Sequence, residues 1–436
     1  MAEPAPRPLG ARDVLRIPDF RRLFVAQTIS DVGDGLTFLT LLIVVNQLTH
    51  SAAALAVMSI AVAVPAMTIG FVAGAYADRL DRRRIMLVSD TFRGILVLGF
   101  IVVATAERLP FLYALAFVQA TIGTFFSPAR GALIPRVVPA EGLLAANSIS
   151  QISRVIAGLI GTGLAGVIVA VTGQVWPGFV VDAATFFVSV AIVYGVDRRL
   201  GLPEGHATAV HASIRTSIGD GLRTIARSRT LLATVSAMSI AMLGLGGVNV
   251  LFLPFLVNVL QVGTVWAGPL EGAQTLSMIL AGGLVAALAA RFRPTSIVTV
   301  GMAGVAAVVG CLAIVPNVWG LLVVLFAVGW FVTPLQAAAT TILQMATPDA
   351  MRGRVMAAIQ ASTSTATIVS TAAAGILADI VTIRVVFVVG AIIVAVGAVG
   401  AAVLYSGERR TTGTETAEEL AGDEVAGLVT VAADPR

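Results

Sequence analysis

The chain has 436 residues, 57% of them hydrophobic and only 12% charged, about half the ~25% of a soluble domain. With a mean hydropathy of +0.95, no water-soluble globule of this length hides its apolar surface behind a polar skin. A soluble enzyme, a nucleic-acid-binding protein and a disordered chain are excluded. The pI of 9.9 and net charge of +4 reflect arginine held on one side of a membrane rather than affinity for nucleic acid.

Residues 1–22 carry five arginines and no apolar core segment, which predicts a cytoplasmic tail rather than a cleavable signal peptide. A spanning helix needs about 20 mostly apolar residues. Twelve such runs follow, at 23–48, 52–77, 85–106, 111–128, 148–171, 177–196, 231–258, 268–290, 295–315, 318–344, 354–378 and 385–405. Runs this long are helices, not barrel strands. The tails and even-numbered loops hold 24 arginines, and the opposite side only Arg108 and Arg384. Both termini are therefore expected in the cytoplasm. Arg93 and Arg154 fall inside spans.

The longest internal loop divides the chain six plus six. The expected organisation is an N-terminal bundle at 23–196, a linker at 197–229, a C-terminal bundle at 230–405 and a polar, acidic, disordered tail at 406–436. Within the linker, Ile214, Ile218, Leu222 and Ile225 recur at helical spacing between arginines, which predicts an amphipathic helix on the cytoplasmic leaflet. A shift of 209 positions places Gly74 on Gly283, Arg82 and Arg84 on Arg291 and Arg293, and Pro139 on Pro348. Parallel six-helix repeats mark one large class of secondary transporters, with the binding site between the halves.

The loop after the second span reads Gly74-Ala-Tyr-Ala-Asp78-Arg79-Leu-Asp81-Arg82-Arg83-Arg84. It resembles the signature loop of the major facilitator superfamily, with Asp81 in place of that family's second Gly. The resemblance implies a cytoplasmic gate built from Gly74, Asp78, Arg79, Arg82 and Arg83. In the second half Ala287 stands where Asp78 maps. Several stretches are similar to the macrolide-efflux and enterobactin-exporter branch of that superfamily. They are Asp19-Phe20-Arg21-Arg22, Gly33-Asp34-Gly35, Ser89-Asp90-Thr91-Phe92-Arg93, Ser127-Pro128-Ala129-Arg130, Ala146-Asn147-Ser148, Val181-Asp182-Ala183 with Phe186, and Pro348–Met356. The resemblance covers nearly all of residues 18–405. It implies an all-α polytopic membrane protein of the major facilitator fold, twelve helices in two repeats, that exports its substrate. Ala157-Gly158 to Gly161-Thr162 lacks the proline of the antiporter motif in span five, which leaves direction open.

An ionisable side chain at bilayer depth costs at least ~2.5–3.5 kcal/mol on insertion scales, so each needs a reason. Asp31 and Asp34 sit i, i+3 in span one, Asp34 roughly 18 Å in from Arg22. A carboxylate in a low-dielectric site that alternates its access can carry protons. Asp34 leads as the coupling candidate, followed by Asp31 and then by Glu271, whose helix-start position also has a plain dipole explanation. The rival reading of Asp34 is a bonded structural carboxylate between Gly33 and Gly35. Asp90 and Arg93 are expected to form a structural ion pair. Arg154 is either a partner for an aspartate or a tie to a loop, and Asp182 is a weaker candidate near the external face.

Cavity candidates are Gln119, Asn249, Gln274, Trp330 and Gln336, each equally readable as helix–helix glue. No dense basic pocket is visible within the spans, which favours amphipathic, neutral or cationic cargo over multiply charged anions. Trp176, Trp266 and Trp319 read as interfacial anchors. With three His and one Cys, the chain offers no metal or haem site. With no Lys it has no ATP-binding P-loop. No cofactor is expected.

The function expected is secondary active export of a drug-like amphipathic small molecule across the cytoplasmic membrane by proton antiport. The partners are lipid, substrate and protons, with no nucleic acid and no ATP, and the chain is a monomer. The alternatives are export of a dedicated metabolite such as a siderophore, and nutrient uptake. More remote are a receptor and a membrane enzyme, for which no catalytic set exists.

Overall fold

The computed structural model describes residues 9–70, 73, 76, 80–202, 214–347 and 351–406. Twelve apolar helices form the body: α1 (Pro18–Thr49), α2 (Ala52–Thr68), α3 (Arg82–Val103), α4 (Leu109–Val137), α5 (Leu143–Thr172), α6 (Trp176–Tyr194), α7 (Arg229–Pro254), α8 (Ala267–Arg291), α9 (Pro294–Leu312), α10 (Val318–Ala346), α11 (Arg352–Ile380) and α12 (Ile383–Ser406). Eleven of these described helices are long and apolar enough to cross a membrane, and α2 is a shorter apolar helix. A bilayer leaves no other choice, because only a helix satisfies its own backbone groups within a single segment. Local signals set the ends. Pro18 opens α1, and Ser51, Asp81, Ser228 and Asn317 cap α2, α3, α7 and α10 through side-chain oxygens.

The repeat is sharper in the helices than in the sequence. Moving α4 by 209 residues gives 318–346, the bounds of α10; moving α5 gives 352–381, one residue from those of α11. In the first half α1 packs on α5 and α6, and α3 on α4 and α6; in the second, α7 packs on α11, α8 on α10 and α9 on α10. The halves meet through α2 against α11 and α5 against α8.

We call the end bearing the start of α1 and the finish of α12 basal, and the opposite end distal. The hydrogen bonds that join the halves lie at the distal end. Asn46 and Asn258 exchange amide bonds at 3.2 and 3.5 Å. Asp379, near the end of α11, accepts from Ser51 Oγ at 2.5 Å and from the Ala52 and Ala53 amides at 2.7 and 3.2 Å, capping α2 from the other half. A Cβ on Gly268 would lie 2.7 Å from the Gly163 Cα, so the α5–α8 crossing requires glycine.

The linker helix Ile214–Arg227 buries Ile225 against Leu231, Leu343 and Val355. Asp220 accepts from Arg354 at 3.1 Å. The expected linker helix is present, and one face of it docks on the base of α11 while Leu222 stays exposed.

The fourth span is also corrected. It continues through Pro128 and Pro135 to Val137, because a membrane helix tolerates proline. Arg130, counted above with a loop, therefore lies within a helix.

Candidate functional site

Between the halves lies a cavity of about 540 Å³, contributed by α1, α2, α5, α7, α8, α9, α10 and α11. Its walls are mainly apolar, with Phe38 and Leu42 on α1 facing Met242 and Phe252 on α7. Its polar points include Asn249, Glu271, Gln274 and Gln336, and Glu271 is the one carboxylate among the described lining residues. Four candidates thus meet here from α7, α8 and α10. Gln119 is buried away from this lining, and Trp330 packs edge-on against Phe326 at 6.4 Å, also outside it.

Gln336, Thr340 and Gln344 form an exposed row at helical spacing along α10 toward the basal end. On α11, Gln360 donates to Ser364 at 2.9 Å on an exposed face. Polar side chains uncovered at this depth face water rather than lipid. Among the described residues, the halves are thus bonded to each other distally, and the exposed polar rows lie toward the basal end.

Beside the cavity, the first half contains a charge network. Arg93 on α3 is paired with Asp34 on α1. Its second contact, at 3.9 Å, is Asp90 one turn earlier. Asp90 in turn accepts from Ser189 Oγ on α6 at 2.6 Å, and the Arg93 guanidinium stacks 4.3 Å over the Phe186 ring. The expected Asp90–Arg93 pair is thus present and extended: one arginine contacts two aspartates, on α1 and α3, and Ser189 on α6 bonds to one of them. Arg93 is 8% exposed and Asp34 is 40% exposed, so the network is anchored inside and opens at Asp34. Asp34 sits one turn basal of Phe38 on α1.

Asp182 is 0% exposed and faces Gly33, where a Cβ would collide with its carboxylate; Thr185 Oγ1 lies 3.1 Å from its Oδ1. It stands in the α1–α6 packing, six residues after the distal start of α6. Asp31 is half-buried and its Oδ2 has no hydrogen-bond partner. Arg154 is exposed, with no carboxylate in ion-pair distance among the described residues.

Gly74, Asp78 and Arg79 of the gate motif lie outside the described residues. Arg83 donates to the Val193 and Tyr194 carbonyls at 3.3 and 2.5 Å, and Arg82 to Leu202 at 3.1 Å, tying α3 to the end of α6. Asp81, the departure from the motif, caps α3 by accepting from the Arg84 amide at 3.2 Å.

The residue missed from the sequence is Arg130. It is 6% exposed, on the basal part of α4. The available signal was its place in the branch-like Ser127-Pro128-Ala129-Arg130 stretch.

Two six-helix repeats around a central cavity define a membrane transporter of the major facilitator superfamily, not an enzyme. The chain belongs to the family described as transmembrane secretion effector, which matches residues 11–429. It is 26% identical to YfiS, an uncharacterized MFS-type transporter of Bacillus subtilis, over 86% of this chain and 90% of that one. It is 29% identical to the enterobactin exporter EntS of Salmonella typhimurium, over 78% of this chain and 80% of that one. Among solved structures, the nucleoside transporter NupG superposes with a TM-score of 0.73 at 13% identity, covering 88% of this chain and 98% of that one. A bacterial homologue of the iron transporter ferroportin gives 0.70 at 15%, covering 90% and 99%. These structural likenesses concern the fold.

Proposed function

We propose that this transporter exports an amphipathic small molecule across the cytoplasmic membrane by alternating access, driven by protons moving inward. The observation that carries the reading is the largely apolar cavity between the halves, sealed distally by Asp379 and the Asn46–Asn258 pair. The basal end is the cytoplasmic one, in keeping with the arginine bias. The observed state then accepts cargo from the cytoplasm or the inner leaflet. Rocking the halves breaks the distal seal and releases cargo outside.

Proton coupling is assigned to Asp34. It faces the open side and is held by Arg93, so loading and unloading a proton there makes and breaks a link between α1 and α3. A change in that link biases which arrangement of the half is favoured. Glu271, inside the cavity on the other half, is the second coupling candidate. A single chain contains the whole pathway, so the functional unit is a monomer.

A second reading is supported by the likeness to EntS: the cargo is one dedicated metabolite of siderophore type. Flux that rises with iron limitation would favour it.

The test is substrate-triggered proton movement in inside-out vesicles, with a panel of lipophilic drugs and siderophores. Proton release from an acidified lumen in wild type, lost in Asp34→Asn, is the expected result. An equal response from both proteins would make Asp34 structural. Inward accumulation of the responding compound would overturn export.

A further inference from the structure

Glu271 on α8 is the one charged side chain among the described residues that line the central cavity. It is half-buried, and that lining holds no Arg or His to pair with it. A carboxylate facing an apolar chamber at membrane depth is costly unless something balances it. The helix start does not. α8 begins at Ala267, so Glu271 lies past the first turn, where the pull of the helix dipole has faded. Its neighbour across the interface, Thr162 on α5, also lines the cavity and is neutral. Arg154, on the same helix as Thr162, lies eight residues toward the basal end, about 12 Å along the axis. The repeat does not call for a charge here either. Shifted by 209 residues, Glu271 falls on Val62, which lines the same cavity from α2. The cavity therefore carries a negative charge on one wall and an apolar side chain at the equivalent place on the other. Glu271 follows Gly268 by three residues, and Gly268 meets Gly163 at the α5–α8 crossing. The carboxylate thus stands at the distal end of the cavity, on the seam between the halves.

We infer that Glu271 is the counter-ion of the cargo, and that the transported amphiphile carries a protonated amine. The ammonium group pairs with the carboxylate, and its remaining N–H donors find amide oxygens on Gln274, one turn further along α8, and on Asn249 of α7. The apolar body lies against Phe38 and Leu42 on α1 and Met242 and Phe252 on α7. The cargo thus supplies the cation that the fold omits. Glu271 belongs to the second half and Thr162 to the first, so an ammonium seated there lies at the crossing that parts when the cavity opens distally. This rests on the amphiphile reading above and narrows it: Glu271 meets the cargo and Asp34 the proton. It stands against a multiply anionic cargo.

The test uses the full chain in phosphatidylcholine nanodiscs and three matched probes: pyrenebutylamine, pyrenebutanol and pyrenebutyrate. Binding is read by quenching of tryptophan fluorescence, with partition into lipid subtracted using empty discs. Wild type is expected to bind the amine about tenfold or more tightly than the alcohol, and the acid least. Glu271→Gln is expected to erase that preference, with retained alcohol binding as the sign of an intact cavity. Glu271→Val, which installs the residue of the equivalent position in the first half, should do the same. Glu271→Asp should keep part of the preference. Equal binding of amine and alcohol by wild type would overturn the inference and leave amphiphile export standing. A preference that persists in a folded Glu271→Gln or Glu271→Val protein would also overturn it. Failure of wild type to bind any probe would overturn the amphiphile reading, and the inference with it.

Discussion

The two halves share a helix plan and differ in what they place inside it. Shifted by 209 residues, Asp31 falls on Ile240, Asp34 on Leu243, Asp90 on Thr299, Arg93 on Met302, Arg130 on Ala339, Arg154 on Thr363 and Asp182 on Ala391. Every interior charge of the first half is neutral in the second. The second half nevertheless folds into the same bundle, with Met302 and Ile240 packing against Gly397. This charge network is thus not required to build a six-helix unit of this plan. Close helix approach, dispersion packing and backbone bonds within each helix suffice. The first half retains a costly network that folding does not demand, which is the strongest physical argument that the network is there for transport.

The largest effect is expected from leaving that network unbalanced. Arg93→Ala strands Asp34 and the buried Asp90 without their cation. Removing one partner of a buried pair costs about 3–5 kcal/mol, so the variant should lose most of its folded yield, as read by size-exclusion chromatography of fluorescently tagged protein. Normal yield would mean that the aspartates do not depend on Arg93.

Next comes the α1–α5 crossing, where Gly35 and Gly161 put backbone against backbone; a Cβ on Gly35 would lie 2.6 Å from the Gly158 carbonyl oxygen. Gly161→Leu should destabilise by about 1–3 kcal/mol, seen as a lower thermal midpoint in detergent. The equivalent Ser370 in the second half already contacts α7, donating to the Leu243 carbonyl at 2.5 Å. Ser370→Ala should therefore be milder. A reversed order would show that the two crossings are not built alike.

The distal seal gives a smaller change. Asp379→Ala removes a cap on α2 worth about 1 kcal/mol. A population shift of roughly fivefold toward the distally open form should follow. It should appear as faster labelling of a cysteine introduced at Ser59, in a Cys311→Ser background, by a membrane-impermeant maleimide. Unchanged labelling would mean that Asp379 caps α2 without holding the halves together.

Much of this architecture was readable in the chain. The apolar runs located the helices, and the arginine punctuation marked the 209-residue repeat that α4 and α10 share. Asp34 and Arg93 were each conspicuous, because a charge in an apolar run is easily seen. Their pairing was not legible: Arg93 has Asp90 one turn away on its own helix, and only the packing of α1 on its neighbours selects Asp34. Arg130 was lost because Pro128 reads as a helix end by the rules of soluble proteins. The bilayer suspends that rule. Gln119 and Trp330 failed as lining residues because the depth of a span says nothing about which face turns inward.

The most direct test of the account is to give the first half the second half's interior. In one chain, Asp34→Leu, Asp90→Thr and Arg93→Met replace the network by the residues that occupy the equivalent positions. Thermal unfolding of the purified protein and proton-linked flux of its substrate in proteoliposomes would be measured together. The account predicts a thermal midpoint close to that of wild type, within about 5 °C, and no coupled flux. A triple variant that fails to fold would show that the charges hold the bundle together, and one that transports at the wild-type rate would show that they serve neither purpose.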